Sequence, residues 1–82
     1  MRLPRDLSGR DLAKGLAALG YIVTRETGDH MRLTTCVRSE HHVTIPHHHS
    51  LRIGTLHAIL AQVAVHFGMG YEELEERVFG QA

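Results

Sequence analysis

The sequence predicts an α+β fold in which helices cover one face of a small antiparallel sheet. Three observations carry the prediction. Apolar residues recur at helical spacing near both ends of the 82-residue chain, the stretch between them alternates with the period of strands, and turn residues punctuate that stretch. The resulting order, α-β-β-β-α with an additional short C-terminal helix, suits a sheet layered against helices. Residues 1–82 are expected to form one domain, its core at about 7–67 and an acidic helix at about 71–79. A chain this short buries only about 60% of its unfolded surface, so a shallow groove is expected rather than a deep pocket.

The first helix is read in SGRDLAKGLAALG. Ser8 caps it, Asp11 stands three residues on in the capping-box position, and acidic residues in the opening turn suit the helix dipole. Leu12, Leu16 and Leu19 form one apolar stripe, and Gly20 is placed to end the helix in a left-handed conformation. YIVTRE follows as a strand, with Tyr21, Val23 and Arg25 expected on one face and Ile22 and Thr24 on the other. Gly28-Asp29 supplies a turn. MRLTTCV then alternates Met31, Leu33, Thr35 and Val37 against Arg32, Thr34 and Cys36. Arg38-Ser39-Glu40 is a connector of hairpin length, and HHVTIP is a third strand with Val43 and Ile45 on a shared face and Pro46 at its end.

IGTLHAILAQVAVHF is the strongest helical signal, with Leu56, Ile59, Leu60, Val63 and Phe67 on one stripe. Gly68 and Gly70 break it. YEELEERVF reads as a short amphipathic helix, with Tyr71, Leu74 and Val78 inward and Glu72, Glu73, Glu75 and Glu76 on a solvated face. The second face of the sheet is left open to solvent or a partner.

Composition narrows the function. The net charge is zero with His neutral, which speaks against a strongly basic nucleic-acid binder. Yet residues 1–70 hold eight Lys/Arg against five Asp/Glu, and residues 71–82 hold one against four, so a body of +3 is masked by a tail of −3. Eight histidines add positive charge below about pH 6.5. A polyanionic partner is permitted. Cys36 is the only cysteine, which excludes an intramolecular disulfide and a Cys-rich zinc site, and its place in an apolar run predicts a buried, unreactive thiol. No apolar run reaches the about 18 residues of a membrane span, and MRLPRDLSGRDL lacks the apolar segment of a secretory signal, so a cytoplasmic location is expected. P-loop, zincin, GxSxG and paired-cysteine signatures are absent.

The remaining candidates are histidines and arginines. His30 follows a turn and opens a strand, so backbone pairing holds it while the imidazole stays accessible. Such a ring can take a proton from an RNA 2′-hydroxyl or give one to the leaving oxygen. RNA carries its own nucleophile, so this cleavage calls for no metal and no cofactor, only an acid/base group and cations on the phosphate. On spacing alone, an idle turn histidine fits as well. Arg25, Arg32 and Arg52 flank the turn and the second helix, where Gly54 and free amides would assist a phosphate; ordinary surface charge is the alternative. His41, His42, His47, His48 and His49 suggest metal, but adjacent strand residues point to opposite faces and four fixed ligands are not evident, so a solvated loop is preferred to a metal site.

LAALGYIVTRETGDHMRLT followed by HHVTIPHHHSLRIGTLHAIL resembles the HicA toxins, the YcfA-like mRNA interferases. Three landmarks carry the likeness in order: Leu16 to Tyr21 ending the first helix, Gly28-Asp29-His30, and Ile45 to His48 followed by Arg52 to Leu60. The resemblance implies a double-stranded-RNA-binding-domain-like fold, an mRNA-cleaving endoribonuclease and toxin of a type II toxin–antitoxin system, and a HicB-like antitoxin covering the active histidine. It places the catalytic histidine at His30, the turn glycine at Gly28 and the P-x-H histidine at His48; together with the arginines near the turn and second helix, Arg25, Gly28, Arg32, His48 and Arg52 are expected to contact RNA. Asp29 stands where the family often has Ser, and its carboxylate beside His30 favours the imidazolium. The acidic tail is free to pack on the domain or to serve as a partner or self-association surface, including in a homo-oligomer. Two other readings stand beside this one: a non-catalytic RNA-binding or regulatory protein of the same fold, and a His-rich metal-binding module.

Overall fold

The computed structural model describes residues 6–80, and helix α1 (Gly9–Leu16) opens as its sequence requires. Ser8 Oγ accepts the Asp11 amide at 3.0 Å while the Asp11 carboxylate reaches back to the Ser8 amide, a reciprocal capping box. A Cβ at Gly9 would run into the Pro46 carbonyl, so glycine there lets the helix start lie against the last strand. A 3₁₀ turn (Ala17–Leu19) tightens the helix end, and Gly20 (φ 85°) reverses the chain in the left-handed region.

Strands β1 (Ile22–Glu26), β2 (His30–Thr35) and β3 (His41–Pro46) form an antiparallel meander in the order β1-β2-β3. The β2–β3 register joins His30 to Pro46, Met31 to Ile45, Leu33 to Val43 and Thr35 to His41. Met31, Leu33, Thr35, Val43 and Ile45 are buried, so this set forms the covered face, as alternation predicts. Helix α2 (Ile53–Phe67) buries Leu56, Ile59, Leu60, Val63 and Phe67, and α3 (Tyr71–Phe79) packs against both other helices through Leu74 and Val78. Gly68 ends α2 in the left-handed conformation, and α3 leaves it at 106°. The Arg38 guanidinium donates to the Phe67 carbonyl, placing a cation on the C-terminal end of α2. Among the described residues, no single helix is long and apolar enough to cross a membrane.

Three expectations are corrected. The β1–β2 register shifts between Val23 and Arg25: Val23 pairs with Leu33 on the covered face, but Arg25 pairs with Arg32 on the open one. A β-bulge at Thr24 thus parts Arg25 from the Val23 side, a displacement that residue-by-residue alternation cannot anticipate. Cys36 is exposed: it directly follows β2 and falls on the side opposite Met31, Leu33 and Thr35, which the helices do not cover. Thr35 itself ends the strand inward, its hydroxyl donating to the Leu19 carbonyl at 2.9 Å and accepting the Val37 amide at 3.2 Å. Glu75 is buried at 2% exposure rather than solvated, since α3 packs against both α1 and α2 and buries Glu75 beside Leu74 and Val78.

A polar and aromatic cluster closes the open end of the core. The buried Tyr21 hydroxyl donates to His41 Nδ1 at 2.7 Å, and the His41 ring stacks on His66 with centroids 4.4 Å apart. His66 Nε2 in turn reaches the Val37 carbonyl at 2.9 Å. Burial pushes the Tyr21 hydroxyl up to about 12, which keeps it a donor. Burial first, then the charges of His66 and His42, hold His41 below its usual 6.5. The folded state therefore binds fewer protons at His41 than the unfolded chain does. That contribution to stability is full above pH 6.5 and is lost as pH falls below it toward the lowered folded value. Urea midpoints measured from pH 7.5 to 5.5 should fall with acidification, and His41→Gln should flatten that fall.

Glu75 offers a second test. Neither of its carboxylate oxygens, nor the buried Tyr71 hydroxyl, has a hydrogen-bond partner among the described residues. A buried polar group without partners costs stability, and an apolar side chain of similar size does not. Glu75→Met should raise the unfolding free energy by about 1–3 kcal/mol, read as a higher urea midpoint at unchanged slope.

Candidate functional site

Thr27 builds the turn that carries His30. Its hydroxyl accepts the amides of Asp29 at 3.2 Å and His30 at 3.1 Å, and its own amide donates to the His30 carbonyl at 2.9 Å. A threonine hydroxyl two and three residues ahead of the amides it satisfies is a local turn motif, and it leaves Gly28-Asp29 as a tight tip. From the far side, the His47 amide donates to the Asp29 carbonyl at 2.8 Å, so the chain just past Pro46 clamps the same turn. His30 is then the first residue of β2, paired with Pro46 and exposed. Its backbone is held by pairing with β3 and by the turn bonds to Thr27, while its ring nitrogens carry no hydrogen bond among the described residues. No hydrogen bond or ion pair joins the Asp29 carboxylate to that ring.

The open face brings His30 together with Arg25, Arg32, Thr27 and Thr44 around a groove of about 320 Å³. Alternation along β2 puts His30 and Arg32 on one face, the register sets Arg32 opposite Thr44, and the bulge sets Arg25 opposite Arg32. Neither guanidinium has a carboxylate partner among the described residues. Two unpaired planar cations beside an unengaged imidazole can hold the oxygens of a phosphate while the ring exchanges a proton.

Gly28 and His48 lie elsewhere. With Ser8, Arg10 and His47 they line a larger groove of about 610 Å³ on the other side of the turn. Its wall is a polar cluster in which Glu26 pairs with Arg10 at 3.1 Å and lies 2.9 Å from His47 Nε2. His48 contributes backbone, its carbonyl accepting the Gly9 amide at 3.0 Å. Arg52 is the N-cap residue of α2, makes no side-chain cap and lines neither groove. Among the described residues, no three His, Cys, Asp or Glu side chains come together in a way that could hold a metal ion.

Two members of the His30 groove escape sequence reasoning. Thr27 is legible in retrospect, as a Thr three residues before a histidine with Gly-Asp between them. Thr44 has no local signal at all: only the β2–β3 register sets it beside Arg32.

A model of the family described as HicA toxin of bacterial toxin-antitoxin matches residues 9–65, well over half of the chain. No curated protein and no solved structure matches.

Thr27→Val removes the acceptor of two amides at nearly constant volume. It should lower stability by about 1 kcal/mol in chemical denaturation, whereas Thr27→Ser should retain most of it.

Proposed function

The chain belongs to the HicA toxin family, and from that premise we propose that it is a metal-independent endoribonuclease that cleaves mRNA with His30 as its acid/base group. The family is one of toxins paired with antitoxins, so an antitoxin is its counterpart. The observation that supports the catalytic reading is the meeting of an unengaged His30 ring with the unpaired guanidiniums of Arg25 and Arg32 in one open groove. The whole chain acts as one domain in this reading.

In the reaction we propose, the 2′-oxygen attacks the adjacent phosphorus, the bond to the 5′-oxygen breaks, and a 2′,3′-cyclic phosphate and a free 5′-hydroxyl result. His30 takes the 2′-hydroxyl proton as neutral imidazole or gives one to the 5′-oxygen as imidazolium. Arg25 and Arg32 hold the non-bridging oxygens and offset the charge that builds on them. The attacking oxygen belongs to the RNA, so no nucleophilic side chain is needed, and the groove contains none beyond two threonine hydroxyls. Gly28, His48 and Arg52 extend the RNA contact beyond the groove. The antitoxin is HicB-like, and an exposed groove on an open sheet face is one that a protein partner can cover.

Producing the protein without an antitoxin should arrest growth, and His30→Ala should lift the arrest. With purified protein, the same change should reduce RNA cleavage by at least about 100-fold while leaving the melting curve in place. A folded His30→Ala protein that cleaves like the parent would sink the assignment, and RNA bound but never cleaved by the parent would leave a binding protein in its place.

A further inference from the structure

A second histidine occupies the open face, held by a hydrogen-bonded string that crosses all three strands. Thr24 Oγ1 lies 2.8 Å from Thr34 Oγ1, Thr34 Oγ1 lies 2.7 Å from His42 Nδ1, and His42 Nε2 lies 2.8 Å from the Glu40 carboxylate. Thr24 Oγ1 also reaches the Arg32 carbonyl at 3.3 Å. The string is complete in either protonation state of the ring. With neutral His42, Thr24 donates to Thr34, Thr34 donates to Nδ1, and Nε2–H donates to Glu40. With the imidazolium, Nδ1–H donates to Thr34, Thr34 to Thr24, and Thr24 to the Arg32 carbonyl, while Nε2–H still donates to Glu40. In both, Thr34 fixes the ring through Nδ1 and Nε2–H faces an anion.

Position relates this histidine to the groove. Thr34, opposite His42, is four residues along β2 from His30, a span of about 13 Å with Arg32 midway. The two rings are too far apart to serve one phosphate, and they are joined by a track of cations and hydroxyls on a single face. The anion that fills Nε2–H is weakly held. The Glu40 side chain is 67% exposed, comes from the β2–β3 connector, and forms a surface pair of the kind worth little.

We propose that Glu40 is a placeholder on an RNA-binding contact: His42 Nε2–H binds a backbone phosphate away from the cleaved bond, and that phosphate displaces the Glu40 carboxylate. His42 is thus a positioning residue for the strand whose other part lies over His30, an inference that rests on the RNA-cleaving reading above. RNA is favoured over an acidic protein segment because the same track offers hydroxyls and guanidiniums suited to 2′-hydroxyls and phosphates in succession.

The test is a double-mutant cycle on RNA affinity in the full-length His30→Ala protein, using a fluorescently labelled single-stranded RNA at fixed low salt. His42→Phe keeps a ring and removes Nε2–H, and should weaken binding about 5-fold. Glu40→Gln should tighten it about 2- to 4-fold, and this gain should largely vanish when His42 is already Phe. If His42→Phe melts below the assay temperature, His42→Asn takes its place in the cycle. A purely structural pair would weaken binding in both single variants, and simple charge repulsion would give Glu40→Gln the same gain with or without His42. Either result overturns the proposal, as does a His42→Phe protein that binds like its parent. RNA binding by none of the proteins would instead overturn the RNA reading itself, and this proposal with it.

Discussion

A three-stranded sheet in so short a chain can be covered on one face only, and the rest of the molecule follows from which face that is. Met31, Leu33, Val43 and Ile45 turn toward α1 and α2, and every pairing that sets them side by side sets the intervening residues on the opposite surface. Because the side-chain period of a strand is two, burying this set commits His30, Arg32, Thr34, His42 and Thr44 to the open face together. Hydrophobic burial, which has no direction of its own, thereby fixes the alignment of the polar residues. A slip of one residue in either ladder would scatter them.

The two ends of that open face are built differently. At the His30 end the backbone is restrained from both sides, by the Thr27 hydroxyl and by the His47 amide, while the side chains of His30, Arg25 and Arg32 have no hydrogen-bond or ion-pair partner among the described residues. At the His42 end the side chains restrain one another through hydroxyls, imidazole and carboxylate. In the proposed reaction, a ring that exchanges a proton benefits from a firm backbone and unengaged nitrogens. A ring that only needs to point in one direction is better served by a bond to one of its nitrogens. The bulge between Val23 and Arg25 joins the two ends, because without it the middle of the track would carry one arginine instead of two.

Charge is distributed in keeping with that division. Glu26 contacts Arg10 and His47, Glu40 contacts His42, and Glu73 contacts Arg77, so these carboxylates are engaged elsewhere than at Arg25 and Arg32. A protein with no net charge can in this way keep a cationic groove. Glu75 is the exception, a buried carboxylate whose oxygens have no hydrogen-bond partner among the described residues. The His41 ring, stacked on His66 over Tyr21, lies on the covered side, where burial and the neighbouring histidines favour its neutral form, so it belongs with the core and not with the groove.

Sequence alone determined the elements and their inward faces. The capping box of Ser8 and Asp11, the Leu12/Leu16/Leu19 stripe, the alternation from Met31 to Thr35 and the full extent of α2 are all local patterns whose physics is complete within a few residues. The ordered landmarks around Gly28 and Gly54 marked the family, and His30 stood out because a turn precedes it. What only the tertiary structure decided were matters of register and packing angle. Whether Arg25 shares a face with His30 depends on a bulge, and Thr44 enters the groove only through the pairing of two strands. Cys36 faces solvent because packing leaves its side of β2 uncovered, and Glu75 is buried because α3 packs against two helices rather than one. Local sequence encodes which face of an element is apolar; it does not encode how far one element slides along the next, and the groove is made of exactly those offsets.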